Sequence, residues 1–455
     1  MKVHFIGIGG IGVSALAQFF LSIGHEVSGS DLVSSEITEN LEKKGIKIFL
    51  GKHKKENIKK DVSLVVFSPA VGKENPELRE ARRRILIQSY PQALGELTKK
   101  YFTIAVSGSH GKSTTTAMIS LILIKAGLNP TVILGTKLNE FGDSNFRLGG
   151  YSEANYQLPT KNYKLLVIEA DEHFASFLNY WPKMIVLTNI EREHLDFYKN
   201  LNNILKTYKK YISHLPQDGV LIINKDDNNI VDNTFSTIVE NVLSYSLRQK
   251  EAKKLKKILK VPGDHNIYNA LAALTTARVL KIPDKISFKA LSKYHGAWRR
   301  FEEFDLKIKN LKLKIISDYA HHPTKVRVTL KAAREKYSNK KIWLVYQPHQ
   351  YQRTYYLFED FIKVFKNALR PAQDKPSVDN LIITDIFDVA GREEKIIKNK
   401  VSSEKLVKAI NNKKAVYLPT IEKTFSYLKK NLKDGEVVII MGAGDIYKLV
   451  NYFTK

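Results

Sequence analysis

The sequence predicts an α/β protein of three domains built around parallel sheets. Apolar segments typical of strands alternate with helical patterns along all 455 residues. Several of these segments are continuously apolar, which is typical of parallel strands that are buried on both faces. At about 100–200 residues per domain, this length suggests about three domains.

The predicted elements divide the chain as follows. Strands are predicted at residues 3–8, 64–67, 102–106, 165–168, 184–188, 220–223, 342–346, 381–384 and 437–441. A helix is predicted at residues 113–126, because Gly127 and the following Asn129-Pro130 end it. Boundaries near residues 97–101 and 298–300 give predicted domains at 1–97, 98–297 and 298–455.

Composition and charge narrow the functional class. The net charge is +27, but the lysines are spread along the whole chain, which favours a lysine-rich surface over a nucleic-acid or membrane partner. The densest basic segment, residues 250–260, is predicted to be a solvated helix face. The absence of cysteine excludes disulfides, thiolate metal sites and a cysteine nucleophile. No segment resembles a signal peptide or a membrane span, so we expect a cytoplasmic protein.

A glycine-rich turn follows the first predicted strand. Its residues are Gly7, Ile8, Gly9, Gly10, Ile11 and Gly12. Such a turn brings backbone N–H groups and a helix N-terminus close to a diphosphate. Asp31 ends the next strand, about 20 residues further on, where dinucleotide folds place an acid that binds ribose. The pattern predicts a bound nucleotide diphosphate and does not by itself distinguish NAD from a UDP-sugar.

A second glycine-containing loop lies between a predicted strand and a predicted helix. Its residues are Gly108, Ser109, His110, Gly111, Lys112, Ser113 and Thr114. Backbone N–H groups of such a loop cradle phosphates, the lysine neutralises the β- and γ-phosphates, and the serine hydroxyl binds Mg²⁺. Two residues separate its glycines where the usual pattern has four, but the strand–loop–helix context predicts an ATP phosphate loop.

Carboxylates follow two buried predicted strands. The first strand is followed by Glu169, Asp171 and Glu172, and the second by Thr188, Asn189, Glu191, Glu193 and His194. In α/β sheets, ligands bind at the carboxyl ends of the strands, and Mg²⁺ prefers oxygen ligands. Glu169 is therefore the first candidate for a Mg²⁺ ligand, and His194 is predicted to belong to the metal site.

Together these motifs resemble the Mur ligases of peptidoglycan synthesis. Matching segments occur in order at residues 108–114, 169–172, 188–194, 262–270, 299–301, 318–324 and 442–446, so the resemblance covers essentially the whole chain. It implies an N-terminal Rossmann-like domain that binds a UDP-sugar, a central P-loop ATPase domain and a Rossmann-like C-terminal domain that closes over an amino acid. It also implies that the glycine turn holds UDP rather than NAD.

The resemblance further implies roles for individual residues. Residues implied on the ATP side are Gly108, Ser109, His110, Gly111, Lys112, Ser113, Thr114, Asn266, Arg299, Arg300 and Asp318. The implied UDP-sugar residues are Gly7, Gly9, Gly10, Ile11, Gly12 and Asp31, and the implied metal residues are Ser113, Glu169 and His194. Tyr319, His321, His322 and Arg353 are implied on the amino-acid side. Asp318 would meet the ribose or orient the closing domain, and His321 or His322 would accept a proton from the amine.

Within the family, the N-terminal glycine turn, the His321-His322 pair and residues 347–354 resemble the members that join L-alanine to UDP-N-acetylmuramate. The implied cofactors are ATP and Mg²⁺, and the implied intermediate is an acyl phosphate. The alternative keeps this chemistry but joins a tripeptide to the same acceptor in muropeptide recycling; residues 347–354 argue against it. Gln350 stands where family members carry an arginine near the incoming amino acid, and His173 stands where they often carry serine.

Overall fold

The computed structural model describes residues 1–151, 164–232, 235–308, 311–370, 377–389 and 395–454. The chain divides into two compact units. The first comprises Met1–Glu193, Asn200–Leu259 and Ile267–Tyr294 and contains two sheets. The second comprises His194–Lys199, Lys260–Asn266 and His295–Lys455 and contains the third sheet. The predicted α/β architecture with three sheets is confirmed.

The first sheet is five-stranded and parallel throughout. Its strands are β1 (Lys2–Ile6), β2 (Glu26–Asp31), β3 (Lys47–Leu50), β4 (Leu64–Phe67) and β5 (Leu86–Ser89), in the order β3-β2-β1-β4-β5. Its helices are α1 (Ile11–Ser22), α2 (Glu36–Lys43), α3 (Pro76–Ala81) and α4 (Tyr90–Lys100). The strand order reverses at β1, and the carboxyl end of a strand at such a point is where open α/β sheets bind ligands. The glycine turn lies at that end.

The second sheet is seven-stranded. Its strands are β6 (Phe102–Ser107), β7 (Thr131–Leu138), β8 (Ser144–Arg147), β9 (Leu165–Glu169), β10 (Met184–Leu187), β11 (Val220–Asn224) and β12 (Asn241–Tyr245), in the order β12-β11-β10-β6-β9-β7-β8. The helices of this part of the chain are α5 (Lys112–Lys125), α6 (Leu195–Tyr198), α7 (Leu201–Ile212), α8 (Asn228–Val231), α9 (Lys250–Ile258), α10 (Asp264–Val279) and α11 (Asp284–Leu291). Because β6 lies between β9 and β10, the phosphate loop that follows β6 is flanked by the carboxyl ends of both neighbours.

The third sheet has six strands. They are β13 (Glu302–Ile308), β14 (Leu311–Asp318), β15 (Ile342–Tyr346), β16 (Asn380–Ile383), β17 (Ala415–Tyr417) and β18 (Val437–Met441), in the order β13-β14-β18-β15-β16-β17. The helices are α12 (Pro323–Lys336), α13 (Tyr351–Tyr356), α14 (Phe358–Leu369), α15 (Lys395–Lys398), α16 (Ser403–Ile410), α17 (Ile421–Asn431) and α18 (Leu449–Thr454). Along β18, Ile439 and Met441 enter one core while Val438 and Ile440 enter the other. Both faces of the sheet are therefore covered, as the continuous apolar pattern predicted.

Two strands depart from the predicted parallel arrangement. Strand β8 pairs antiparallel with β7, and β13 pairs antiparallel with β14. The reason is the length of the connections, since a parallel crossover needs about a dozen residues and neither pair has that many between its strands.

A buried polar network joins the first two sheets within the first unit. On α1, the Gln18 side-chain amide donates to the Asn145 side chain of β8 at 2.9 Å. Asn145 in turn donates to the Ser14 hydroxyl at 2.9 Å and to the Ile11 carbonyl at 2.5 Å. Ile11 is the first residue of the helix that the glycine turn opens. The network therefore ties the N-terminus of α1 to the second sheet.

A second buried network lies beneath the glycine turn. Glu77 on α3 is fully buried and accepts hydrogen bonds from the Ser30 hydroxyl and the Asn57 amide, each at 2.5 Å. Its carboxylate also lies 3.3 Å from His53 Nδ1 and 3.6 Å from His4 Nε2. Burial alone would raise the pKa of Glu77, but these four partners outweigh it and hold the pKa well below its usual range. The Ser30 carbonyl accepts from the amide of Gly7, so the cluster supports the glycine turn directly.

The basic segment near residue 250 forms the predicted helix α9. Ala252 and Leu255 are its buried residues, and its lysines face solvent. Within the described ranges, no helix has both the length and the apolar character that a membrane crossing requires.

Candidate active site

The glycine turn leads from β1 into α1. The amides of Gly7 and Ile8 both donate to the Ser30 carbonyl, at 2.8 and 3.1 Å, which anchors the turn to β2. Gly7 has a φ of +75°, a conformation that favours glycine. Gly10 precedes the first helical residue without capping it by a side chain. The turn therefore brings an uncapped helix N-terminus to the carboxyl end of the sheet, which is where a diphosphate is expected.

Asp31 lies beside this turn, as its position at the end of β2 predicted. Its Oδ2 accepts the Gly9 amide at 2.8 Å. A Cβ on Gly9 would lie 2.9 Å from the same oxygen, so only glycine permits this contact without a shift. The carboxylate is therefore attached to the glycine turn itself.

The phosphate loop is held by residues that follow the neighbouring strand β10. The amides of Ser109 and His110 donate to the backbone and side-chain oxygens of Asn189, at 3.0 and 2.9 Å. The Thr188 hydroxyl donates to the His110 carbonyl at 2.6 Å. A Cβ on Gly108, whose φ is +130°, would lie 2.1 Å from the Thr188 hydroxyl oxygen. Glycine is therefore required at position 108 because the Thr188 hydroxyl lies too close for a side chain, and because the backbone conformation favours glycine.

The other end of the loop packs against α10. Gly111 has a φ of +83°, and a Cβ there would lie 2.4 Å from Asn269 Oδ1. The same oxygen accepts a hydrogen bond from Thr115 of α5 at 3.2 Å. Asn266, three residues earlier on α10, belongs to the second unit and donates to the Pro262 carbonyl at 2.7 Å.

Lys112, the first residue of α5, is surrounded by carboxylates. Its Nζ donates to Glu172 Oε2 and to the Gly108 carbonyl, each at 2.7 Å, and lies 3.4 Å from Asp171. Burial lowers the pKa of Lys112, but Glu172 and Asp171 outweigh that effect and raise the pKa above its usual range. The ammonium group is therefore charged at any physiological pH. Burial also raises the pKa of Glu172.

Ser113 and Glu169 meet at the carboxyl end of β9. The Ser113 hydroxyl donates to Glu169 Oε2 at 3.0 Å, and the Gly135 amide donates to Glu169 Oε1 at 2.5 Å. The two predicted metal residues of this unit therefore lie side by side. Thr114, the last predicted loop residue, is buried in the first turn of α5.

His194 falls in the second compact unit, at the N-terminus of α6, whereas Glu169 falls in the first. It has a φ of +54° and a ψ of +43°, a left-handed conformation that is uncommon outside glycine, although histidine is among the residues enriched in it. Such conformations cluster at functional sites. The predicted metal role of His194 stays a prediction.

The two predicted arginines have different surroundings. The Arg299 guanidinium is buried, donates to the Gly442 and Gly444 carbonyls, and lies 4.8 and 4.5 Å from the rings of Tyr319 and Tyr447. Burial is the largest cause that lowers the pKa of Arg299, which falls to about 10. Arg300 is partly exposed and its guanidinium lies 4.6 Å from the Tyr319 ring. The hydrogen-bond partners of Arg299 Nη2 are backbone carbonyls of its own unit, and the predicted contact of Arg299 with the ATP phosphates stays a prediction.

Asp318 ends strand β14 and organises this arginine loop. Its carboxylate accepts the amides of Phe301 and Ala320, each at 2.8 Å. Burial raises the pKa of Asp318, although Arg300 and the two amides oppose the shift. Of the two expected roles of Asp318, these contacts favour orientation of the domain over a contact with the ribose.

The paired histidines have different hydrogen bonds. His321 Nδ1 lies 2.9 Å from the Tyr319 carbonyl, which can only accept, so this nitrogen carries the proton and Nε2 carries the lone pair. Lys325 Nζ lies 3.5 Å from that Nε2. His322 Nδ1 accepts the Thr324 amide at 3.3 Å and caps α12. His322 therefore has its lone pair committed to the helix.

Arg353 and Gln350 lie around His349. Arg353 Nη1 lies 3.1 Å from His349 Nδ1 and donates to the His349 carbonyl at 3.2 Å. The His349 ring stacks on Phe387 at 5.5 Å between ring centroids and lies 5.9 Å from the His321 ring. Gln350 has a φ of +71°, and its amide donates to the Phe387 carbonyl at 3.0 Å.

The structure also reveals residues that the sequence left without a role. Glu172 pairs with Lys112, Asn189 holds the loop, and Gly135 and Asn269 contact Glu169 and Gly111. Position at a strand end was a signal for Glu172 and Asn189. No local pattern indicated Gly135, because it acts on a residue of another strand.

Three family models match successive parts of the chain. The model of the Mur ligase family catalytic domain matches residues 2–102. The Mur ligase middle domain matches residues 106–277, and the Mur ligase glutamate ligase domain matches residues 299–444.

Individual relatives match over the full length. The chain is 40% identical over 480 residues to UDP-N-acetylmuramate–L-alanine ligase of Acetivibrio thermocellus, covering 100% of this chain and 95% of the relative. It is 38% identical over 477 residues to the protein of the same name from Aquifex aeolicus, covering 100% of this chain and 97% of that relative. The crystal structure of UDP-N-acetylmuramate-alanine ligase MurC from Thermotoga maritima has a TM-score of 0.78 at 28% identity and covers 100% of this chain and 98% of its own. A murein peptide ligase from Psychrobacter arcticus, with a TM-score of 0.70 at 22% identity over 100% of this chain and 98% of its own, shares the fold.

Proposed function

The chain belongs to the Mur ligase family, and we propose that it joins L-alanine to the carboxylate of UDP-N-acetylmuramate while cleaving ATP to ADP and phosphate. The observation that carries this proposal is the phosphate loop, with Lys112, Ser113 and Glu169 gathered at the ends of β6 and β9. The full-length relatives that bear this activity in their names support the choice of acceptor and amino acid.

The reaction has two steps. The muramyl carboxylate attacks the γ-phosphorus of ATP, an oxygen–phosphorus bond forms, and ADP leaves with the electrons of the broken bond. The alanine amine then attacks the acyl carbon, inorganic phosphate leaves, and the amine loses a proton. The first step needs positioning and neutralisation of charge more than covalent help. Lys112 supplies a fixed positive charge that its carboxylate partners keep protonated.

Ser113 and Glu169 have the ligand chemistry that Mg²⁺ prefers. A hydroxyl and a carboxylate, 3.0 Å apart, offer hard oxygen donors at the start of α5. We assign the metal to these two residues, and the metal role of His194 stays a prediction from the sequence. When bound, Mg²⁺ neutralises charge on the transferred phosphoryl group.

Gly135→Ala tests this metal site from outside its ligands. A Cβ on Gly135 would lie 2.8 Å from Glu169 Oε2 and 3.1 Å from Oε1, so the carboxylate must shift from the position in which it meets Ser113. We expect the Mg²⁺ concentration for half-maximal phosphate release to rise about 10-fold or more, the size of effect seen when support of a metal ligand is lost. Gly72→Ala is the matched control, since nothing lies within 4 Å of a Cβ there. If Gly135→Ala needed the same Mg²⁺ concentration as the wild type, the assignment of Glu169 as a metal ligand would be contradicted.

The acceptor is assigned to the glycine turn. Gly7, Gly9, Gly10, Ile11 and Gly12 would hold the UDP diphosphate at the N-terminus of α1. Asp31 is already bonded to the Gly9 amide, so we assign it first to holding the turn and second to the ribose. Arg299 or Arg300 is our candidate for a phosphate contact.

The second step needs a base for the amine, and His321 or His322 is our candidate. His321 Nε2 lies 3.5 Å from Lys325 Nζ, and His322 Nδ1 accepts the Thr324 amide. Tyr319 and Arg353 complete the proposed amino-acid side.

The proposed domains remain 1–97, 98–297 and 298–455, and helix α4 extends past the first of these boundaries to Lys100.

The activity is tested by ADP release in the presence of UDP-N-acetylmuramate and Mg²⁺, with alanine, glycine or serine added. We expect alanine to stimulate release most strongly. If no amino acid stimulates release, the proposed function is wrong. The recycling alternative is tested by offering a tripeptide in competition with alanine. Turnover of the tripeptide equal to that of alanine would favour the recycling alternative.

A further inference from the structure

Tyr90 is the first residue of α4 and lies beside the glycine turn. The helix start is rigid: the Ser89 hydroxyl accepts the Gln92 amide at 3.4 Å, and the Gln92 side chain accepts the Ser89 amide at 2.8 Å. Pro91 follows in the first turn. The backbone of Tyr90 is therefore held in place, and its partly buried ring extends from a defined point.

The Tyr90 hydroxyl reaches the glycine turn. A Cβ built on Gly12 would lie 2.7 Å from the Tyr90 hydroxyl oxygen and 2.8 Å from the ring carbon that bears it. The hydroxyl therefore occupies the space that a side chain at position 12 would fill. Gly12 belongs to the first turn of α1, whose amides are the expected diphosphate contacts.

The Tyr90 hydroxyl can donate a hydrogen bond. Burial, together with the negative charges of Glu169 and Asp171, raises the pKa of Tyr90 above its usual range. The phenol therefore stays protonated beside the turn assigned to the diphosphate.

Within the described ranges, the Tyr90 hydroxyl makes no hydrogen bond to the protein. Tyrosine hydroxyls in partly buried positions usually find a partner. A donor that is rigidly mounted beside the glycine turn points to a partner supplied by the bound substrate.

We propose that the Tyr90 hydroxyl donates a hydrogen bond to the diphosphate of the bound UDP-sugar and so directs the attached sugar toward the phosphate loop. This inference rests on the proposed function, because it takes the glycine turn as the UDP site. Tyr90 would contribute to acceptor binding and not to the binding of ATP or alanine.

Tyr90→Phe removes only the hydroxyl. Loss of one hydrogen bond to an anionic acceptor is expected to raise KM for UDP-N-acetylmuramate by about 10- to 100-fold and to weaken binding of UDP alone by the same factor. KM for ATP and KM for alanine should not change. Tyr211→Phe is the matched control: its hydroxyl is also without a partner among the described residues, but it is buried on α7 against Phe177.

Binding of UDP, measured by calorimetry without ATP or alanine, separates this inference from the proposed function. A wild-type protein that binds UDP but releases no phosphate with alanine would overturn the function and still allow the Tyr90 comparison. Equal UDP affinity of Tyr90→Phe and the wild type, a raised KM for ATP instead, or no UDP binding by the wild type would each overturn the inference. Equal melting temperatures of Tyr90→Phe and Tyr211→Phe would exclude misfolding as the cause.

Discussion

Lys112→Ala is expected to reduce phosphate release by about 10³-fold, which is the size of effect seen when one preorganised charge-stabilising group is removed from an active site. The ammonium group starts from a defined position, 2.7 Å from both Glu172 and the Gly108 carbonyl. Alanine there leaves the developing charge on the transferred phosphoryl group without its fixed counter-charge. Binding of the UDP-sugar should be unchanged, because that site is assigned to the first sheet.

Controls for Lys112→Ala follow from its surroundings. Lys125→Ala, at the exposed end of the same helix, should retain full activity. Because Lys112→Ala leaves the buried Glu172 without its cation, the protein should also lose stability. Adding Glu172→Gln should restore the melting temperature without restoring turnover. If Lys112→Ala lost UDP-sugar binding, the assignment of ATP to the phosphate loop and of the UDP-sugar to the glycine turn would be wrong.

Glu77→Ala is expected to lower the free energy of unfolding by about 3–5 kcal/mol, the usual cost of removing one partner from a buried ionic network. The substitution leaves His4, His53, Ser30 and Asn57 without their shared acceptor in the core. Urea unfolding would measure the loss. Glu80→Ala on the same helix is the control: Glu80 forms a partly exposed ion pair with Arg84 at 3.2 Å, and its loss should cost less than about 1 kcal/mol.

The same network predicts a dependence on pH. The pKa of Glu77 is lowered in the folded protein, so its carboxylate contributes stability above the unfolded pKa of about 4.3, and this contribution is lost as pH falls toward the folded pKa. The wild type should lose stability steeply below about pH 4.3, and Glu77→Gln should flatten that part of the profile. A Glu77→Gln profile parallel to that of the wild type would show that the carboxylate is not the titrating group.

Much of the fold was predictable because buried parallel strands have a continuous apolar pattern. The predicted strands at 342–346 and 437–441 agree with β15 and β18 to the residue, and α5 begins one residue before its prediction. Edge strands such as β5 were not predicted from this pattern. Its sequence, Leu86–Ser89, is only partly buried and contains polar residues, so local hydrophobicity carries little signal.

The candidate site was predictable where its parts are contiguous. A phosphate loop needs glycines, a lysine and a serine within seven residues, so residues 108–114 indicated it without any tertiary information. The different surroundings of Arg299 and Arg300 were not accessible in this way. The carbonyls that bind the buried guanidinium of Arg299 belong to Gly442 and Gly444, more than a hundred residues away.

By itself, the sequence determined the α/β class, the two glycine-rich turns and the order of motifs that matches the Mur ligase family, because each depends on local spacing and backbone conformation. Tertiary structure decided which side chains share a site. It placed Glu172 against Lys112, Gly135 against Glu169 and Tyr90 against Gly12. The physical reason is that crossover connections bring the carboxyl ends of parallel strands to the same edge of a sheet. The motifs do not indicate how long each crossover is. Residues far apart in sequence therefore meet at distances that no periodicity in the sequence specifies.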